Sequence, residues 1–138
     1  MEPRSECPIN TAVEVLGDRW SLLVLRDIIF EDRRYFRVLL TGSVERIASN
    51  ILADRLVRLV DAGLLTRGTA ARGQRARYSL TEAGIQTLPI IDALATWGLR
   101  WRPGSDALPC RQQHLHEMGP AYIEQFMEEL RARHLSAH

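Results

Sequence analysis

Residues 48–80, ASNILADRLVRLVDAGLLTRGTAARGQRARYSL, decide the fold. The first half has helical period. At a step of 100° per residue, Ala48, Leu52, Leu56 and Leu59 share one face. Asn50, Asp54, Val57 and Asp61 lie opposite, with Ala53 and Arg58 flanking. This predicts an amphipathic helix over 48–62, with Ser49 as its N-terminal cap and Gly63 as a left-handed stop. The second half changes period. Leu64 to Arg67 and Arg75 to Leu80 have strand character, with Tyr78 and Leu80 alternating against Arg77 and Ser79. Gly68 to Gln74 lies between them, polar and holding two glycines. This reads as a β-hairpin with a basic tip.

Upstream, three helices are expected. Residues 8–16 start on Pro8, which suits a first helical turn, and repeat Ile9, Ala12, Val13 and Leu16 before Gly17. Residues 19–30 are apolar on more than one face, which marks a central helix. After the charged turn EDRR (31–34), a short helix is expected at 35–41, broken by Gly42–Ser43. Downstream, Thr81 caps a further helix. A long apolar helix then runs through 86–101, with some disturbance at Pro89. The order of four helices, hairpin and helix predicts an α+β, mainly α architecture: a winged helix-turn-helix. The helix at 48–62 is its recognition helix and the hairpin at 64–80 a two-stranded wing; the excess of apolar surface on the first helix and on the helix at 86–101 suits them as flanking dimerisation helices. Two parts are expected, a domain over 1–102 and a C-terminal extension over 103–138. Within the extension, residues 121–133 carry Ile123, Phe126, Met127 and Leu130 on one helical face. A lone helix of that length is marginal in water, so this face docks either on the domain itself or on a partner subunit.

Charge is distributed unevenly. The 138 residues carry a net charge of only +1. Yet residues 46–79 hold seven arginines against Asp54 and Asp61 alone. Such a block suits a polyanion, because each phosphate neutralised releases condensed counterions; a solvated basic face is the plainer alternative. All 18 basic residues other than His are Arg. Two cysteines, Cys7 and Cys110, are too few for a disulfide-stapled secreted domain. There is no signal-peptide pattern and no apolar run long enough to span a bilayer. The expected location is the cytosol, with no membrane partner.

Several stretches taken together resemble the HxlR-type regulators, a branch of the MarR-like winged-helix proteins. They are CPINTAVEVLGDRWSLLVLRDI (7–28), RYFRVLL (34–40), RIASNILADRLVRLVDAGLLTR (46–67), YSLTEAG (78–84) and LPIIDALATWG (88–98). The resemblance implies a homodimer that binds double-stranded DNA at a partly palindromic operator, usually as a repressor. It also implies that a cysteine before proline at the start of the first helix, here Cys7, is a candidate redox or electrophile sensor. An inert thiol is the alternative. Residues 103–138 lie outside the resemblance.

In a recognition helix, residues near the N-terminus reach the base edges of the major groove. Here these are Ser49, Asn50 and Ala53, although Ser49 and Asn50 can equally act as caps. Arg58 faces outward toward phosphate or base. Arg55 is either a DNA contact or an anchor tying helix to wing. Asp54 and Asp61 oppose phosphate on the same outer face. The wing offers Arg67, Arg72, Arg75 and Arg77, with Arg72 at the flexible tip suited to a narrow minor groove. Ser43 to Arg46 can meet backbone at the preceding turn.

The alternative function is a winged-helix module that docks a protein instead of DNA. An enzyme is not expected. Histidine is absent before residue 114, so the main domain lacks the usual carrier of acid–base chemistry. Cys110, His114 and His116 form C-x3-H-x-H, which is not a common zinc spacing and lacks an evident fourth ligand. No metal or cofactor is assigned. Core packing is the simplest account of Trp20, Trp97 and Trp101. The operator and any small-molecule effector are left unassigned.

Overall fold

The computed structural model describes residues 4–71, 73–102 and 119–135. Arg72 and the Cys110, His114, His116 cluster therefore lie outside the described residues. The element order is α1 (Pro8–Leu16), α2 (Arg19–Glu31), α3 (Phe36–Gly42), α4 (Ser49–Asp61), β1 (Leu65–Arg67), β2 (Tyr78–Leu80), α5 (Glu82–Ile85), α6 (Leu88–Trp101) and α7 (Pro120–His134). The architecture is a mainly helical winged helix-turn-helix. Its wing is a two-stranded antiparallel sheet that pairs Leu65 with Leu80, Thr66 with Ser79 and Arg67 with Tyr78.

Helix α2 lies at the centre, as its all-round apolarity requires. Leu25, Ile28 and Ile29 are fully buried. They meet Leu39 of α3, Leu52, Leu56 and Leu59 of α4, and the strand residues Leu65 and Leu80 in one core. Burying each such side chain contributes about 1.5–3 kcal/mol. Asp18 starts α2 by accepting from the N–H groups of Trp20 and Ser21 at 3.0 and 3.1 Å. Asp32 ends it in the left-handed region at φ 53°.

Helix α4 ends as its glycine dictates. Gly63 takes φ 82°. Its N–H donates to Val60 O at 3.0 Å, and Leu64 N donates to Leu59 O at 3.0 Å. This is a Schellman closure, which satisfies carbonyls that the helix end leaves open. The N-terminus differs from the reading above. Ala48 is the capping residue with no side-chain bond, and Ser49 is already in the first turn. The entry is set upstream instead. Ser43 Oγ accepts from Ile47 N at 3.0 Å, and Arg46 turns the chain at φ 61°.

Two further departures concern the hairpin and α6. Each strand holds three residues, shorter than expected, although Gly68 N still donates to Arg77 O at 2.8 Å. Beyond that bond the chain leaves the ladder. The expected helix through 86–101 begins only at Leu88, and Pro89 lies in its first turn. There its missing N–H has no helical acceptor to lose, so it disturbs nothing.

Helix α7 docks on its own chain, against α5, α6 and β2. Met127 and Leu130 belong to the same core as α2, and Phe126 packs against Phe30 with ring centres 5.6 Å apart. Trp97 and Trp101 are the opposite case. They are 58% and 59% exposed, so core packing does not account for them. Trp20 is half-buried against the core.

Candidate nucleic-acid interface

The outer face of α4 is open. Ser49, Asn50, Ala53, Asp54, Val57, Arg58 and Asp61 are all exposed. The apolar stripe of Leu52, Leu56 and Leu59 anchors the opposite side. The helix thus presents its first two turns and its outer flank as one strip.

Arg55 is not part of that strip. Its Nε donates to Asp18 Oδ2 at 2.8 Å and its Nη1 to Asp54 Oδ2 at 2.6 Å. It is therefore an anchor, but one that ties α4 to the start of α2 and not to the wing. Burial alone would raise the Asp18 carboxyl. Hydrogen bonds from Ser21 and Arg55 outweigh that effect and hold it down at about 2. Asp18 thus serves two helices: it caps α2 and holds α4. Asp54 is shared as well, with Arg58 Nη1 3.6 Å from the oxygen that Arg55 uses. Arg55 and Arg58 together offset Asp18 and Asp54, so this cluster carries no net charge toward a phosphate.

The turn before α4 is held by a second ionic bridge. Arg26 donates twice to Glu45, each bond 2.8 Å, and also reaches Asp27. Burial pushes the Asp27 carboxyl up, against the pull of Arg26. The side chain of Glu45 is thus spent on α2, whereas Val44 and Arg46 stay exposed.

On the wing, Arg67, Arg75 and Arg77 are exposed. Arg67 and Arg75 line a cleft of about 580 Å³ together with Arg37 of α3, Phe36 and Tyr78. The Arg75 guanidinium lies 5.1 Å from the centre of the Tyr35 ring, a cation–π contact that orients it. Arg67 and Tyr78 also line a smaller cleft of about 250 Å³ against Leu56, Val57, Val60 and the acidic Asp61 of α4. A continuous surface therefore runs from α4 across Arg67 to α3. Arg37 is absent from the residues singled out in the sequence. Its signal is weak there, because only the packing of α3 on α2 and α4 places it in the same cleft as Arg67.

Cys7 is exposed and occupies the capping position of α1, where its carbonyl accepts from Thr11 N at 3.0 Å. Among the described residues no group of His, Cys, Asp and Glu is arranged to hold a metal ion, and no helix is long and apolar enough to cross a membrane.

The chain is similar to several known proteins. It is 33% identical to the HTH-type transcriptional regulator Rv3095 of Mycobacterium tuberculosis over 107 residues, 77% of this chain and 66% of that one. It thus spans just under two thirds of that relative's length. Among solved structures, PA1607, a candidate transcription factor, matches with a TM-score of 0.67 and 32% identity over 77% of this chain and 72% of its own. The transcriptional regulator YodB of Bacillus subtilis shares the fold, with a TM-score of 0.57 at 24% identity over 73% of this chain and 100% of its own. The family described as HxlR-like helix-turn-helix matches residues 15–106, and the chain belongs to that family of transcriptional regulators.

Proposed function

We propose that the protein is a dimeric, sequence-specific DNA-binding repressor and not an enzyme. The observation that carries this reading is the continuous surface joining the outer face of α4 to the arginine-lined cleft between α3 and the wing. Its shape and charge suit a duplex. Asn50 and Ala53 face the base edges. Arg58, Arg67, Arg75 and Arg77 meet phosphate, joined by Arg37. Ser49 serves as a backbone contact at the helix start. Arg55 acts from behind by holding α4 in place. A protein-docking module would suit an acidic face better, and the pairing of Asp54 with Arg55 and Arg58 argues against one.

Dimerisation is supported by apolar surface that the described residues leave uncovered. No residue of α1 is buried. Ile90, Leu94, Trp97 and Trp101 recur along α6 at helical spacing, all exposed. An unbroken stripe of this kind marks an interaction surface. A second copy covering α1 and α6 would place two recognition helices about one DNA turn, roughly 34 Å, apart.

A fluorescence-anisotropy titration with DNA selected from a random pool tests this reading. Tight binding to a partly palindromic site, weakening steeply with salt, is expected. Failure of selection to enrich any site would sink it. The same titration after mild oxidation, for wild type and Cys7→Ser, tests the sensor role, which rests on the exposure of Cys7 at the start of α1. Loss of binding on oxidation in wild type alone is the expected result.

A further inference from the structure

A two-stranded wing has a free edge, and here the edge is closed by groups outside the hairpin. The bonds of Gly68 N to Arg77 O and Thr81 N to Leu64 O mark the residues that face β1. By alternation the N–H groups of Tyr78 and Leu80 point away from β1. Both are taken. Tyr78 N donates to the backbone carbonyl of Arg34 at 2.8 Å. Leu80 N donates to His134 Nδ1, in the last turn of α7, at 2.9 Å. The carbonyl of Tyr78 is taken too, by Arg34 Nε at 3.0 Å.

The Arg34 side chain joins the same three parts. It is 7% exposed. Its Nη2 donates to Ser79 Oγ at 2.5 Å and its Nη1 to Arg133 O of α7 at 3.4 Å. Helix α7 is a firm base for this clasp, because Met127 and Leu130 sit in the core and Arg131 reaches Glu82 of α5 through two bonds of 2.9 Å.

His134 is 8% exposed. With Nδ1 accepting, the proton of the neutral ring lies on Nε2, and Nε2 is buried without a partner among the described residues. An apolar side chain would fill the space without that orphaned donor, but it could not accept from Leu80. The helix that carries His134 also lies beyond residues 15–106, the part that matches the family.

We propose that His134 and Arg34 are positioning residues for DNA binding: they fasten α7 to the outer edge of β2 and so set the angle at which the wing presents Arg75 and Arg77. The DNA half of this proposal rests on the function proposed above.

The test has two arms, on wild type, His134→Phe, His134→Asn and Ser79→Ala. Without DNA, amide exchange is followed at Leu80 and Tyr78, with Leu56 as the core reference. The Leu80 amide should exchange at least about tenfold faster in His134→Phe while Leu56 is unchanged. Asn should restore protection, since its Oδ1 stands close to where Nδ1 was. Ser79→Ala, at a half-buried position, loosens Arg34 without touching the α7 core and should accelerate both wing amides. With selected DNA, His134→Phe should bind about tenfold more weakly. Its salt slope should fall by about one phosphate, with the preferred sequence unchanged and Asn rescuing both. Unchanged Leu80 exchange in His134→Phe and Ser79→Ala would overturn the clasp. Faster exchange with unchanged DNA affinity and salt slope would overturn the positioning role alone. Absence of DNA binding by wild type would bring down the regulator reading, and the positioning role with it.

Discussion

Gly84 sits where α5 passes the start of the wing. A Cβ there would lie 2.2 Å from Leu64 O and 3.1 Å from Leu80 Cδ2. The first neighbour is backbone and is itself held by Thr81 N, so it cannot yield cheaply. Gly84→Ala should destabilise the protein by about 2 kcal/mol or more in urea unfolding. Gly63→Ala meets no neighbour, but its φ of 82° strains any side chain; a loss of about 1 kcal/mol is expected. His134 gives a prediction in pH. Burial first, then the nearby Arg34, with Arg133 and Arg77 adding to it against Asp32, lower its pKa from 6.5 to about 4. Between those values the unfolded chain binds the proton and the folded chain does not, so stability rises with pH across that window. Acidification from pH 7 to 4 should therefore remove on the order of 3 kcal/mol through this residue. The urea midpoint of wild type should fall relative to that of His134→Asn as pH drops from 7 to 4, because only the histidine takes up a proton. A constant gap between them would contradict the linkage.

At the scale of the element, the proposed function has α4 and the wing divide the work of binding. The outward strip of α4 carries Asn50 and Ala53 near its start and Arg58 further along, whereas the wing and α3 carry a cluster of guanidiniums. Contacts to phosphate position a protein, and contacts to bases specify the sequence. Arg67→Ala should thus weaken binding to every sequence and lower the salt slope by about one. Asn50→Ala should flatten the preference at one base pair of each half-site and leave the slope alone. Selection and anisotropy on the two variants separate these outcomes; a changed consensus in Arg67→Ala would contradict the division. Arg55 supports α4 from its inner side. Asp18 holds it while capping α2, so one carboxylate sets the start of α2 and the seat of α4 together.

For the whole molecule, the uncovered faces are the telling feature. Trp97 is 58% exposed on a stripe with Ile90, Leu94 and Trp101. Isolated exposed apolar residues are ordinary, but a contiguous row along one helix is not. Trp97→Glu should convert a dimer to a monomer in light scattering without changing the helical circular-dichroism signal, and should weaken operator binding by removing the second half-site. A variant that remains dimeric would place the interface elsewhere. Helix α7 adds Met127 and Leu130 to the domain core and His134 to the edge of the wing.

Local patterns were legible from the chain alone because they depend on near neighbours. The 3.6-residue repeat of Leu52, Leu56 and Leu59, the stop at Gly63 and the period change at Leu64 each follow from interactions within a few residues. Their order was enough to predict the winged helix-turn-helix and to point to α4 and the wing as the candidate interface. The start of α4 was misread at Ser49, because the Ser43 hydroxyl and the backbone of Arg46, in the preceding turn, guide the chain into the helix. What joins distant parts of the chain was decided only by tertiary packing. Arg55 is spent on Asp18, 37 residues away. Arg37 and Arg67 share a cleft because α3 and β1 both pack on α4. Trp97 and Trp101, apolar enough for any core, stay outside because no other part of the described chain covers them. His134 looks in sequence like one polar residue of a tail. Its role at Leu80, 54 residues away, exists only because the core seats α7, and a side chain's partner is set by where its helix is seated and not by its neighbours in the chain.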